Sequence, residues 1–289
     1  MKKPSSTPPT VTDTRELAYL YDLFIVPGWR EYFDAMVDAE IKLPKEAQPG
    51  WSALEAACGT GGYGLSLAAR LGPRARVIGL DTSPERIEIA RGKAEIQHLR
   101  HLAYACEDIT DDAQPADAFA LVIGDASMRF ATPADQPRDI FPSLARVTRP
   151  GGAVVVKLAT RGSFDEFFSL YWEALFEADL TNLTPQLEAL ISARLTTADV
   201  EQQMRAAGLQ NIRVITEKQA FEYENAAEFM AMPVIERFFL PDWLAILPGP
   251  AESAAVRQHL LEIIDRERQD LTFDLSVRAT LALGTKPED

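Results

Sequence analysis

Cysteine and histidine are scarce in this sequence, with two of the first and three of the second in 289 residues. Two thiols cannot build a disulfide framework, and they fit a reducing compartment such as the cytoplasm. His98, His101 and His259 stand at no metal-ligand spacing with Cys58 or Cys106, so we expect no metal site and read both cysteines as small buried side chains. Basic residues are also in deficit: 29 Lys and Arg face 43 Asp and Glu, a formal net charge of -14. That balance argues against nucleic acid or anionic lipid as the main partner, because both select basic patches. No apolar run approaches the ~20 residues of a membrane span. Met1 to Thr14 lacks the apolar core of a signal peptide and is rich in Pro, Ser and Thr; we expect residues 1–14 to be a mobile arm.

What the sequence does have is 47% apolar residues, enough for one α/β core with an attached cap. Its most informative stretch runs from Trp51 to Gly64. A short apolar strand carries an acid, Glu55, then comes a turn with Gly59, Gly61 and Gly62, then a helix to Arg70. Glycines let a backbone approach a ligand closely, and a helix start points unpaired N–H groups at it. A second strand from Arg76 ends in Asp81, where an acid can accept both hydroxyls of a ribose. The pattern predicts a pocket for an adenosine-type cofactor. Gly59-x-Gly61-x-x-Gly64 also satisfies the dinucleotide fingerprint, and spacing alone does not exclude NAD. Glu55 argues against it: a carboxylate there repels a pyrophosphate and suits a cationic, amino-acid-bearing cofactor such as S-adenosylmethionine.

Ser83 and Pro84 start the next helix as N-cap and first helical residue. Asp108 follows a third strand, Asp117 to Gly124 reads as a fourth, and Leu144 to Val156 as helix, tight turn and fifth strand. This alternation predicts a parallel sheet over residues 51–160. Two helices, broken at Val26-Pro-Gly28, precede it within residues 15–50. Ser163-x-x-Glu166 has the form of a capping box, followed by an apolar stripe that includes Phe164, Phe168, Trp172 and Phe176. A sixth strand from Asn211 follows, with Phe221 to Tyr223 either extending it or standing apart. Residues 225–268 read as helical and broken at Pro233, Pro241 and Pro248. Phe273 to Leu283 alternates strictly and reads as a strand.

The succession of motifs resembles the class I S-adenosylmethionine-dependent methyltransferases. Tyr21-Asp22 and Trp29-Arg30 stand in an order similar to the entry segment of the ubiquinone/menaquinone-biosynthesis members. The resemblance implies a Rossmann-like α/β fold with strand order 3-2-1-4-5-7-6 and strand seven antiparallel. Residues 161–289 would complete it, with cap insertions at 163–195 and 225–268. It implies Glu55, Gly59 and Gly61 at the methionine end of S-adenosylmethionine, Asp81 at the ribose, Asp108 and Ile109 at the adenine, and Ala57, Thr82, Gly124 and Tyr21 among the cofactor contacts. Ala57 departs from the family pattern, which has a glycine there. The family has no universal catalytic residue, because the cofactor brings the electrophile. Asp125, in the loop after the fourth strand, is the candidate base, and Arg129, Phe168 and Trp172 are candidate substrate contacts. An aromatic-rich cap predicts a small, largely apolar or aromatic acceptor. A cofactor-binding protein without transferase activity and an NAD-dependent oxidoreductase remain the alternatives.

Overall fold

The computed structural model describes residues 11–128, 140–267 and 272–288. Its centre is a seven-stranded sheet in the order β3-β2-β1-β4-β5-β7-β6. The strands are β1 Ser52–Ala56, β2 Arg76–Asp81, β3 Leu102–Cys106, β4 Phe119–Ala126, β5 Thr148–Ala159, β6 Gln210–Tyr223 and β7 Phe273–Thr285. The first five are parallel, and β7 pairs antiparallel with both β5 and β6. The order and the sense of strand seven are those expected. Every residue of β4 is buried, because helices cover both faces of a parallel sheet. Pleating sends Val155 into one core, while Val154 and Val156 enter the other. The second core packs α5 Ile140–Val147 and α8 Thr197–Ala206 on the sheet. The first takes α3 Gly62–Leu71, α4 Pro84–Ile96 and the cap.

β6 and β7 run on past the end of β5. Pairing of β5 stops at Ala159 opposite Ala279, while β6 continues to Tyr223 opposite Phe273. This two-stranded extension carries the cap: α6 Asp165–Glu177 with α7 Thr184–Ser192 packed on it, α9 Ala226–Ala231, α10 Leu240–Trp243 and α11 Pro250–Glu267. Phe229 of α9 meets Tyr223 at 5.2 Å and Phe273 at 4.7 Å between ring centroids. Each fully buried ring of this kind contributes about 1.5–3 kcal/mol. The N-terminal helices are α1 Val11–Leu20 and α2 Glu31–Glu40, joined by the wide helical segment Tyr21–Arg30. Pro27 (φ -71°, ψ 135°) and Gly28 (φ +85°) break that segment, and the break turns Trp29 and Arg30 into the interior, where both are buried.

Five expectations are corrected. α1 begins at Val11, inside the stretch expected as an arm, and Thr14 Oγ1 donates to Glu85. Ser163 and Glu166 form no capping box. The residue before α6 is Phe164, in a left-handed conformation, and Ser163 Oγ instead accepts from Arg278 N. Glu166 likewise turns to β7, accepting from Ser276 N and Oγ. Pro241 does not interrupt the insertion: it lies in the first turn of α10, where its missing N–H costs nothing. Cys106 is exposed, against the buried position expected, while Cys58 is buried. Phe221 to Tyr223 extend β6, one of the two readings left open. β4 also runs two residues past Gly124, so Asp125 is a strand residue, opposite Lys157 of β5.

Candidate functional site

The glycine turn lies between β1 and α3 at the C-terminal edge of the sheet. Cys58 N donates to Leu80 O at 2.8 Å, which ties the turn to β2. Gly59 and Gly61 have φ of +59° and +83°. A side chain at Gly59 would stand 2.6 Å from Arg30 Nη1, and one at Gly61 would strike the Tyr104 phenol. Gly61 O already accepts from that phenol at 2.7 Å. Ala57 shares the left-handed conformation, with φ +57°.

Beneath the turn lies a buried ion cluster. Arg30 Nη2 is 2.7 Å from Glu55 Oε1 and 3.1 Å from Asp125 Oδ2, and all three side chains are at most 4% exposed. Arg30 Nη1 donates to Tyr21 Oη at 2.7 Å and to Ala57 O at 3.0 Å. Lys157 Nζ pairs with Asp34 and lies 3.6 Å from Asp125 and 3.9 Å from Glu55. Three carboxyl groups thus face two cations, and with all three ionised one negative charge would be in surplus. Burial pushes the Glu55 carboxyl up to about 7, although Arg30 and Lys157 oppose the rise. Burial also acts on Asp125, but Arg30, Lys157 and the Ser127 hydrogen bonds outweigh it and hold that carboxyl below its ordinary range. Burial raises the Tyr21 phenol to about 12.

Above the turn is a cleft of about 200 Å³. Tyr21, Ala57, Asp81, Thr82, Asp108, Ile109, Gly124 and Asp125 all line it, so the structure brings eight of the expected residues together. Asp81 Oδ2 accepts from Gly59 N at 2.8 Å, and Oδ1 accepts from Ser83 N at 2.9 Å and pairs with Arg86 at 3.0 Å. Asp108 Oδ1 accepts from Thr110 N at 2.9 Å, closing its own turn.

Other expected residues lie elsewhere. Glu55 is fully buried and does not line the cleft; its carboxylate accepts from Gly64 N at 2.9 Å and from Arg30. Gly59 and Gly61 shape the turn beneath Tyr21, Arg30 and Tyr104. Phe168 is 2% exposed and packs on Phe167 and Trp243, with Arg194 over its ring. Trp172 is half-buried against the same core, and neither ring lines a described cavity. The buried rings of the stripe pack against other cap rings, and Phe176 is 74% exposed. Arg129 lies outside the described residues. Sequence reasoning missed Arg86, Glu107, Met128, Ile140 and Leu144 of the cleft wall, and it missed Lys157. A lysine within the otherwise apolar Val154-Val-Val-Lys157-Leu run was the available signal for the last. On the cap, Glu177, His259 and Glu262 come together, with Arg266 paired to Glu177; none of them lines the cleft.

A seven-stranded sheet of this order with an acid-lined glycine-turn cleft defines a class, and comparison with known proteins agrees. Residues 53–152 match the methyltransferase domain family. Over these residues the chain is similar to a methyltransferase domain. It is 30% identical over 125 residues to a demethylmenaquinone methyltransferase of Halalkalibacterium halodurans, covering 43% of this chain and 50% of that one. A demethylmenaquinone methyltransferase of Lactobacillus johnsonii is 27% identical over 169 residues, covering 58% of this chain and 62% of the other. The chain thus spans less than two thirds of either relative. Among solved structures, phosphoethanolamine N-methyltransferase 2 of Haemonchus contortus has a similar fold. The TM-score is 0.57 at 16% identity, covering 96% of this chain and 58% of that one. No helix among the described residues is long and apolar enough to cross a membrane.

Proposed function

We propose that this chain transfers a methyl group from S-adenosylmethionine to a small, largely apolar or aromatic molecule. The observation that carries the reading is the charge of the cleft wall. Asp81, Glu107, Asp108 and Asp125 line it against a single guanidinium, Arg86. Four carboxylates suit a ligand with a sulfonium and an ammonium and no phosphate, and they oppose a pyrophosphate. The fit extends below the turn. Asp125 Oδ2 is buried and accepts no well-aligned hydrogen bond although Arg30 is 3.1 Å away, so it retains capacity for an ammonium donor.

Asp81 would hold the ribose hydroxyls, exchanging its bond to Arg86 for them. Asp108 would face the adenine amino group. Ile109, with Ile140 and Leu144, supplies apolar wall for the ring. Asp125 and Arg30, already paired, would separate to meet the amino and carboxylate groups of the methionine end. Bound there, the cofactor supplies an electrophilic methyl whose positive charge disperses on transfer. The chain's own part is to position and to exclude water. A carboxylate held below its ordinary range is a weak base, so we assign Asp125 to charge pairing and not to proton abstraction. The demethylmenaquinone methyltransferases among the relatives support a small-molecule acceptor. Incubation with S-adenosylmethionine and a panel of aromatic, prenylated, sugar and amino-acid acceptors tests this, with S-adenosylhomocysteine read by mass spectrometry. Turnover is expected with aromatic or prenylated members. Turnover with none of them would leave a cofactor-binding protein, and preference for sugars would remove the acceptor class.

A further inference from the structure

We propose that the cavity enclosed by the Tyr21–Arg30 segment, the end of β6 and the insertion before β7 binds the apolar body of the acceptor. The proposal rests on the methyl-transfer reading and gives its substrate a place. The cavity measures about 220 Å³, room for one small ring system or a short isoprenoid unit. Phe24 and Trp29 wall it from the N-terminal segment, Phe221 from β6, and Met232, Val234 and Phe239 from the insertion. Glu222 is the one charged residue on its wall, and its side chain is exposed. A polar occupant would leave its groups unmatched against these rings, at a cost that an apolar one avoids.

Trp29 joins this cavity to the cofactor cleft. Its indole stacks on Phe221, with centroids 5.8 Å apart and planes 17° apart. Its Nε1 donates to Ser127 Oγ at 3.0 Å, and Ser127 Oγ donates to Asp125 Oδ1 at 2.6 Å. Asp125 lines the cofactor cleft, so two hydrogen bonds through one serine link the wall of the cavity to the wall of the cleft. The next residue, Arg30, pairs with Asp125 on the other side. A single helical segment therefore presents Tyr21 to the cofactor and Phe24 and Trp29 to the acceptor. At the outer end, Phe24 is 38% exposed, so the apolar wall reaches the surface.

The neutral fluorophore phenylnaphthylamine serves as the probe, with S-adenosylhomocysteine affinity measured separately by calorimetry. Wild-type protein is expected to bind the fluorophore saturably at one site. Met232→Trp and Val234→Trp, which fill the cavity from its roof, should each weaken that binding by about tenfold, or about 1.4 kcal/mol, while S-adenosylhomocysteine affinity and melting temperature stay unchanged. Two variants guard against one failing to fold. Acceptors turned over in the panel should displace the fluorophore. Equal fluorophore binding by wild type and both folded variants, or none by wild type, overturns the proposal. If the fluorophore behaves as expected and S-adenosylhomocysteine does not bind, the cavity stands as a ligand site and the methyl-transfer reading falls.

Discussion

Ala57 shows how one residue adapts a family pattern. A glycine is expected there, and the backbone keeps the left-handed conformation with φ +57° despite the added methyl. That conformation costs an L-residue roughly 1–2 kcal/mol relative to glycine. Glycine in turn gives the unfolded chain more freedom, which offsets about 0.4–1 kcal/mol of the gain. Ala57→Gly is thus expected to stabilise the protein by about 0.5–1 kcal/mol, read as a higher urea midpoint at unchanged slope. A lower midpoint would mean that the methyl makes contacts worth more than the strain. The departure was visible in the sequence; its conformation was not, because φ at one residue is set by the bonds its neighbours make.

The ion cluster belongs to the scale of elements, since Arg30, Glu55, Asp125 and Lys157 clamp the N-terminal segment, β1, β4 and β5 together. Removing one member would leave its partner charged and buried, at about 3–5 kcal/mol. Glu55 has a testable signature. Its carboxyl rises from 4.5 to about 7 in the folded protein, so its neutral form stabilises fully below about pH 4.5, and that contribution is lost as pH rises through 7. The slope is at most about 1.4 kcal/mol per pH unit. Glu55→Gln keeps the shape without the titration. Its melting temperature should gain on wild type from pH 5 to about pH 7 and level off above that, and a constant difference over the whole range would show that Glu55 is ionised throughout. The alternation of strands and helices, the Pro27-Gly28 break and Asp81 were legible because they rest on local periodicity and turn chemistry, while the strand order came from the family resemblance. The cluster was not, because Arg30 and Glu55 meet across 25 residues and Lys157 and Asp34 across 123. Ser163 and Glu166 misled for a similar reason: a capping pattern is local, and the partners they chose are on β7.

At the scale of the whole molecule, the cap and the sheet divide the work. The parallel strands place Asp81, Asp108 and Asp125 around one cleft, and the extended β6–β7 pair carries the aromatic roof. The phenylalanine-rich stripe of α6 was legible as apolar, but which side of a helix meets a ligand depends on what packs against it, and here other cap rings do. The central claim is that the acid-lined cleft holds S-adenosylmethionine through Asp81. Calorimetric titration with S-adenosylhomocysteine, on wild type and on Asp81→Ala, tests it most directly. Wild type should bind at one site with micromolar affinity and show no heat with NAD. Asp81→Ala should keep its fold and lose about 1.5–3 kcal/mol for each charge-assisted hydrogen bond removed. Tighter binding of NAD than of the adenosyl compound, or an Asp81→Ala affinity equal to wild type, would contradict the account.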